Sequence, residues 1–311
     1  MSAPAREPAS LGTCFGYEVR SALPFRYLRG GTGEQPLVVE EAPAPVGEPG
    51  AAPVLTWQPP DQPYRARLHE VAGGYRLWID GTGWFGVYPR EGRIEVPPGG
   101  DPVRREERVW GLPALLCFLR RGDLPLHAAA VDVGGAALLL AGPRMFGKTT
   151  LAAAFAAAGY RVLAEDLSCL RADPIPSVVP GPAMLRVRPD VAGDLDVEPG
   201  AASSSDDRVH VALDRERRGD CAPVPVRAVV FLRPADEGIS LEEIDPAEAL
   251  PDVWALSFKL PTDEDRTRAF ASITRLLDVV PALNLRRPVQ IGALSDALEV
   301  LTAIGEPRRA G

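Results

Sequence analysis

From residue 64 to residue 96 apolar and polar positions alternate, which is the period of a strand with one buried face. Tyr64, Ala66 and Leu68 interleave with Arg65, Arg67 and His69, and Gly73-Gly74 supplies a tight turn into a second strand over 75–80. Glycines 81, 83 and 92 set off two more strands, over 84–88 and 93–96. The pattern predicts an antiparallel meander. Upstream, residues 29–53 carry so much Gly, Pro and Glu that only 37–39 is predicted as a short strand, and residues 1–10 are predicted to be frayed. A β-rich N-terminal module is thus expected over roughly 11–100, with a domain boundary at 108.

A charged stretch, 101–108, leads into 109–121, where Trp110, Leu112, Leu115, Leu116 and Leu119 recur at helical spacing, with Pro113 in the first turns, where proline is tolerated. The texture then becomes α/β. Residues 128–133 and 136–141 are predicted as strands joined at Gly134-Gly135. A helix is predicted over 147–158, stopped by Gly159, and a third buried strand over 160–164 ends on Glu165-Asp166. Beyond these, 224–232 is strand-like, and 246–257, 265–280 and 294–304 are helical. The intervening 195–222, with Ser203–Ser205 and dense charge, is a polar excursion suited to a loop, a lid or a substrate contact.

Composition narrows the function classes. The chain has 34 basic and 42 acidic residues, a net charge of −8, which argues against a nucleic-acid binder or a protein of anionic membrane surfaces. No run approaches the length of a membrane span, and the first ten residues have neither a basic nor an apolar leader segment, so a cytoplasmic location is expected. Cys14, Cys117, Cys169 and Cys221 are far apart, as isolated thiols would be, and support neither a zinc site nor a disulfide framework. Only two of the 34 basic residues are lysine, Lys148 and Lys259. Lys259 falls at a helix end, where it caps the helix or faces solvent.

Lys148 stands in AALLLAGPRMFGKTT, residues 136–150, which matches G-x-x-x-x-G-K-[ST] between a buried strand and a helix. A loop turning into a helix N-terminus aims backbone N–H groups at one point, where they and the helix dipole bind phosphate. Gly142, Pro143, Arg144, Met145, Phe146, Gly147, Lys148, Thr149 and Thr150 are therefore the candidate nucleotide contacts. In this reading Lys148 bridges the β- and γ-phosphates of ATP and the Thr149 hydroxyl ligates Mg²⁺. Arg144, Met145 and Phe146 make the middle of the loop bulky. Eighteen residues beyond Lys148, Glu165 and Asp166 end a strand expected on the same sheet edge, the place where carboxylates serve metal and substrate. Arg186, Arg188, Arg286 and Arg287 could meet phosphate or an acidic substrate, although on so arginine-rich a surface each is expected to be a solvated cation.

The run LHAAAVDVGGAALLLAGPRMFGKTTLAAAFAAAGYRVLAEDLSCL, residues 126–170, resembles the core of HPr kinase/phosphorylase and of the HPr-kinase-related kinases found with bacterial peptide-modification clusters. The SALPF element at 21–25 and PVPVRAVVFL at 223–232 resemble the related-kinase branch. The resemblance implies an α/β fold with a P-loop kinase core of the HPr kinase and phosphoenolpyruvate carboxykinase type, over 109–311, preceded by the β-rich module. It implies that His127 lies near the transferred phosphate, that Lys148 binds phosphate, that Thr149 and Glu165 serve magnesium, and that Asp166 accepts the proton of a substrate serine and shares the metal site. The family's metal glutamate, in an I/L-E-I-R-G-L-G segment, has no counterpart in PAMLRVRPD, residues 182–190, and the N-terminal module differs from that of true HPr kinases. An ATP- and Mg²⁺-dependent kinase acting on a serine of a peptide or small protein is the expected function. A nucleotide-binding pseudokinase or accessory protein, or a small-molecule kinase of the same fold, are the alternatives. Related kinases often assemble, so a homo-oligomer is compatible with the sequence.

Overall fold

The computed structural model describes residues 9–43, 47–58, 65–194, 208–213 and 220–305. Residues 1–8, Tyr64, the Ser203–Ser205 run and most of the 195–222 excursion lie outside these. The architecture is mixed α/β, with two large sheets.

The first sheet comprises β1 (Ser10–Cys14), β2 (Tyr17–Arg20), β3 (Gln35–Glu41), β4 (Leu55–Trp57), β5 (Ala66–Val71), β6 (Gly74–Ile79), β7 (Gly83–Tyr88) and β8 (Arg93–Val96), in the order β1-β2-β3-β8-β7-β6-β5-β4. The strands from β5 to β8 form the expected antiparallel meander. Its register places Leu68, Leu77 and Phe85 in one cross-strand row, all fully buried, and such rows are what stabilise a sheet. β3 is longer than the sequence suggested and pairs in parallel with both β2 and β8. Its partners are remote in sequence, so local composition gave no sign of the pairing.

The stretch 101–121 departs from expectation. It forms two helices, α1 (Pro102–Val109) and α2 (Leu112–Arg121), rather than one helix starting at 109. Asp101 caps α1 by accepting from the Arg104 N–H at 2.7 Å, and Pro102 occupies its first turn. The apolar period missed α1 because Arg105, Glu106 and Glu107 are buried in it. Both oxygens of Glu106 accept main-chain N–H groups, from Tyr27 at 2.9 Å and Arg26 at 2.7 Å. α2 closes the core of the first sheet, which also takes in Cys169 and Val179 from the far side of residue 108.

The second sheet contains β9 (Leu124–Leu126), β10 (Ala128–Val133), β11 (Ala136–Ala141), β12 (Arg161–Ala164), β13 (Ser168–Arg171) and β14 (Ser177–Val179). A hairpin of β15 (Met184–Val187) and β16 (Val209–Ala212) stands apart, and β17 (Val224–Pro234), β18 (Ser240–Ile244) and β19 (Ala282–Arg287) complete the sheet. β11, β17 and β19 run parallel. β10 runs against β11, with Ala128 opposite Ala141, and β12 runs against β10, with Ala164 opposite Ala130. The C-terminal ends of β11, β12, β17 and β19 therefore share one edge with the beginning of β10.

Both faces of the central strands of this sheet are covered, so these strands are apolar on both sides. Leu138 and Leu140 face α3 (Lys148–Ala157), the β15–β16 hairpin, α4 (Pro189–Asp194) and α7 (Leu294–Gly305). Leu139 and Ala141 face α5 (Pro246–Leu256) and α6 (Asp263–Val279). The Lys259 ammonium caps α5, donating to Trp254 O at 2.9 Å and Ser257 O at 3.2 Å.

Arg29 ties the two sheets together. It is 1% exposed and donates to Gly181 O and Val162 O at 2.7 Å and to Leu163 O at 3.3 Å, reaching the strand that leads into Glu165-Asp166. Arg29→Met keeps the apolar stem but strands these carbonyls, so it should lower stability by about 3 kcal/mol, read as a reduced urea midpoint at unchanged m-value.

Candidate functional site

The site lies on the shared edge of the second sheet. β11 ends at Ala141, and residues 142–147 turn directly into α3. Gly142 and Gly147 adopt φ of 145° and 85°, and Met145 also sits at positive φ, 69°. A Cβ on Gly147 would come within 2.4 Å of an Arg287 Nη atom, so both space and backbone angle select glycine there. The bulky loop residues do not fill its concavity: Met145 is 69% exposed, Arg144 is exposed, and Phe146 packs against the core under α3.

No side chain caps α3, and its first main-chain bond within the helix is from Leu151 N–H to Gly147 O. The N–H groups of Lys148, Thr149 and Thr150 precede that bond, an orphan set that suits an anion. Lys148 is buried, and its ammonium folds back on the loop, donating to Gly142 O at 2.8 Å and Pro143 O at 3.1 Å. Burial pushes its pKa down, an effect that Asp166 and Glu165 oppose.

The three other residues singled out in the sequence converge on this loop. The Thr149 hydroxyl donates to Glu165 Oε1 at 2.6 Å. His127, whose N–H is held by Leu256 O at 2.8 Å, places Nδ1 3.3 Å from Asp166 Oδ1. The Asp166 carboxyl is 46% exposed, so a substrate hydroxyl can reach it. Burial pushes its pKa up, but the Arg186, His127, Lys148 and Arg208 charges outweigh that and leave it low.

Four further residues complete the arrangement. Arg186, from β15, was expected to be a solvated cation. Instead its three nitrogens reach Glu165 Oε2 at 3.2 Å, Glu107 Oε1 at 2.9 Å and Asp166 Oδ2 at 3.0 Å. Glu107 comes from α1, and its second oxygen meets buried His210 of β16 at 3.1 Å. Arg287 is also buried, at 2% exposure, beside Gly147. It donates to Pro288 O at 2.8 Å and reaches Phe146 O at 3.5 Å, its Nε has no partner, and among the described residues no carboxylate pairs with it. Burial lowers its pKa. Arg188 and Arg286 are exposed, as expected. Glu107 was hidden in a charged stretch and His210 in the polar excursion, and neither neighbourhood carries a motif.

The loop and the α3 N-terminus fit the phosphates of a nucleotide: orphan N–H groups, a buried ammonium and the Arg287 charge all face one need. Thr149 also fits a metal ion, because its hydroxyl spends its proton on Glu165 and keeps its oxygen lone pairs. Among the described residues no group of three or more His, Cys, Asp and Glu is arranged to hold a metal by itself.

No family model matches the chain, and no curated protein matches it. Among solved structures it is similar to the Hpr(Ser) kinase/phosphatase from Coxiella burnetii, at 10% sequence identity and a TM-score of 0.30, over 58% of this chain and 98% of that one. A superposition this loose carries no weight for function. Among the described residues no helix is long and apolar enough to cross a membrane.

The electrostatics predict an acid-sensitive fold. Burial pushes the Glu107 carboxyl up, but the His210 hydrogen bond and the Arg186 and Arg108 charges hold it at about 2. An unfolded glutamate titrates near about 4.3, so the folded state gains stability above that value and loses it as the pH falls toward about 2. The loss should amount to about 3 kcal/mol, and Glu107→Gln should flatten this part of the profile, measured as the urea midpoint against pH.

Proposed function

We propose that this protein is an ATP- and Mg²⁺-dependent kinase that transfers the γ-phosphoryl group to a serine-type hydroxyl on a peptide or small protein, on a P-loop core of the HPr kinase type. The observation that carries this reading is the convergence of the 142–149 loop, the uncapped α3 N-terminus and half-exposed Asp166 on one sheet edge. The peptide acceptor rests on the sequence resemblance of residues 126–170.

The chemistry follows from these residues. The N–H groups of 147–150 and the α3 dipole hold the phosphates, and Lys148 exchanges the carbonyls of Gly142 and Pro143 for phosphate oxygens. Arg287 brings a buried charge that has no carboxylate partner among the described residues, which an anion on the loop would balance. Magnesium bound on Thr149 would neutralise charge developing on the phosphates. Asp166 accepts a hydrogen bond from the attacking hydroxyl and aims it along the line of transfer. Phosphoryl transfer has a loose transition state in which the proton leaves late, so a carboxylate of low pKa suffices for this task. His127, beside Asp166, faces the transferred group.

A second reading, a nucleotide-binding accessory protein without transfer, is favoured by the Arg186 grip on Asp166. Two variants separate the readings. Asp166→Asn should reduce transfer of phosphate to the acceptor by roughly 10²-fold or more while leaving the nucleotide Kd within a few-fold, and Lys148→Ala should weaken both. The measurements are mass spectrometry for the phosphorylated product and titration calorimetry with ATP. Equal ATP turnover in wild type and Asp166→Asn would remove the kinase and leave the accessory protein.

A further inference from the structure

The acids of the site come from two distant parts of the chain, Glu107 in α1 and Glu165 and Asp166 after β12, and they meet on one guanidinium. Arg186 gives a separate nitrogen to each, Nε to Glu165, Nη1 to Glu107 and Nη2 to Asp166, at 3.2, 2.9 and 3.0 Å. The remaining oxygens are also engaged: Glu165 Oε1 by the Thr149 hydroxyl, Asp166 Oδ1 by His127 Nδ1, and Glu107 Oε2 by His210 Nε2. All six carboxylate oxygens thus have a protein partner. The arginine is itself fixed in place. Its own strand pairs Arg186 with His210 across the β15–β16 hairpin, and Arg208 donates to Arg186 O at 3.1 Å. Glu165, Asp166 and Glu107 in turn hold the guanidinium firmly in its charged form against the pull of burial.

We infer that Arg186 is a built-in counter-cation that keeps divalent metal off Glu165, Asp166 and Glu107, so that a metal ion enters this site only with the phosphates of a nucleotide. A planar fork and a small divalent ion make incompatible demands on the same oxygens. The fork holds them about 3 Å from nitrogen, whereas Mg²⁺ gathers oxygens at about 2.1 Å around itself. Seating the ion on Glu165 and Asp166 would break two charge-assisted bonds and leave a double charge beside a single one, with the Lys148 ammonium also close enough to feel both acids. Lysine, a point charge with no fork, would not bridge three acids in this way. Arg186 is a positioning residue here: it sets the place of the carboxylates and the number of metal ions the protein holds. The inference rests on the proposed reading of Thr149 only for the nucleotide-borne ion, because exclusion from the carboxylates requires no catalysis.

The experiment is a titration of the nucleotide-free full chain with Mn²⁺, reading free Mn²⁺ by electron paramagnetic resonance. Wild type should bind weakly, and Arg186→Met should bind roughly 10-fold tighter or more, because three carboxylates then lack their cation. Adding Glu165→Gln to Arg186→Met should return binding to the wild-type level. Arg186→Lys, which keeps the charge, should stay closer to wild type than Arg186→Met. Wild-type protein that binds Mn²⁺ as tightly as Arg186→Met overturns the inference. Should Arg186→Met not fold by circular dichroism, tight wild-type binding that Glu165→Gln abolishes overturns it equally, and weak wild-type binding unchanged by Glu165→Gln supports it. Failure of the kinase reading would appear in the phosphorylated product and not in this titration.

Discussion

β10 runs antiparallel to both of its neighbours, β11 and β12, and the meeting of His127, the glycine loop and the acidic pair depends on that pairing. With Ala128 opposite Ala141 and Ala130 opposite Ala164, the register leaves the start of β10 between the ends of the other two strands. His127, the glycine loop and the acidic pair are each the first residues beyond a ladder of backbone hydrogen bonds. Their positions are therefore set by the sheet and not by flexible chain. Burial on both faces, under α3 and α7 on one side and α5 and α6 on the other, gives that register no freedom to slip, because a shift of one residue would exchange the two apolar faces.

Onto this edge the rest of the chain brings charge. Lys148 and Arg287 are buried and Arg186 is partly buried, and among the described residues only Arg186 of the three is matched by carboxylates, three of them. The two ends of the site differ accordingly. Around the loop lie orphan N–H groups and two cations, Lys148 and Arg287, that have no carboxylate pair among the described residues. Around Glu165 and Asp166, the acids are already satisfied within the protein. Buried ion networks of this kind contribute little net stability, but removing one member leaves the others uncompensated, which is why they hold geometry well.

The N-terminal sheet belongs to the same construction. Its core closes over α2 and includes Cys169 and Val179, α1 supplies Glu107, and Arg29 holds the carbonyls of the strand before Glu165. The strand that carries Glu165 and Asp166 thus depends on hydrogen bonds from a part of the chain more than a hundred residues away.

Much of this was legible in the sequence where a local signal existed. The meander, the strands 128–133 and 136–141 and the helix after the glycine loop follow from periodicity and glycine placement, and they stand in the structure where the pattern put them. Lys148, Thr149, Glu165 and Asp166 could be named because spacing along strand, loop and helix fixes their common edge, and His127 through the resemblance of residues 126–170. What the sequence could not reveal were contacts whose partners are far apart and chemically ordinary. α1 was hidden because three of its five buried residues are Arg and Glu, which read as a solvated stretch. Arg186 and Arg287 looked like two more arginines in a chain that carries 32 of them. Backbone periodicity records which face a residue occupies, whereas the pairing of a buried charge is decided by what the opposite element brings to it. For that reason the sequence determined the glycine loop and the acids beside it, and only the tertiary structure decided which cations stand over them.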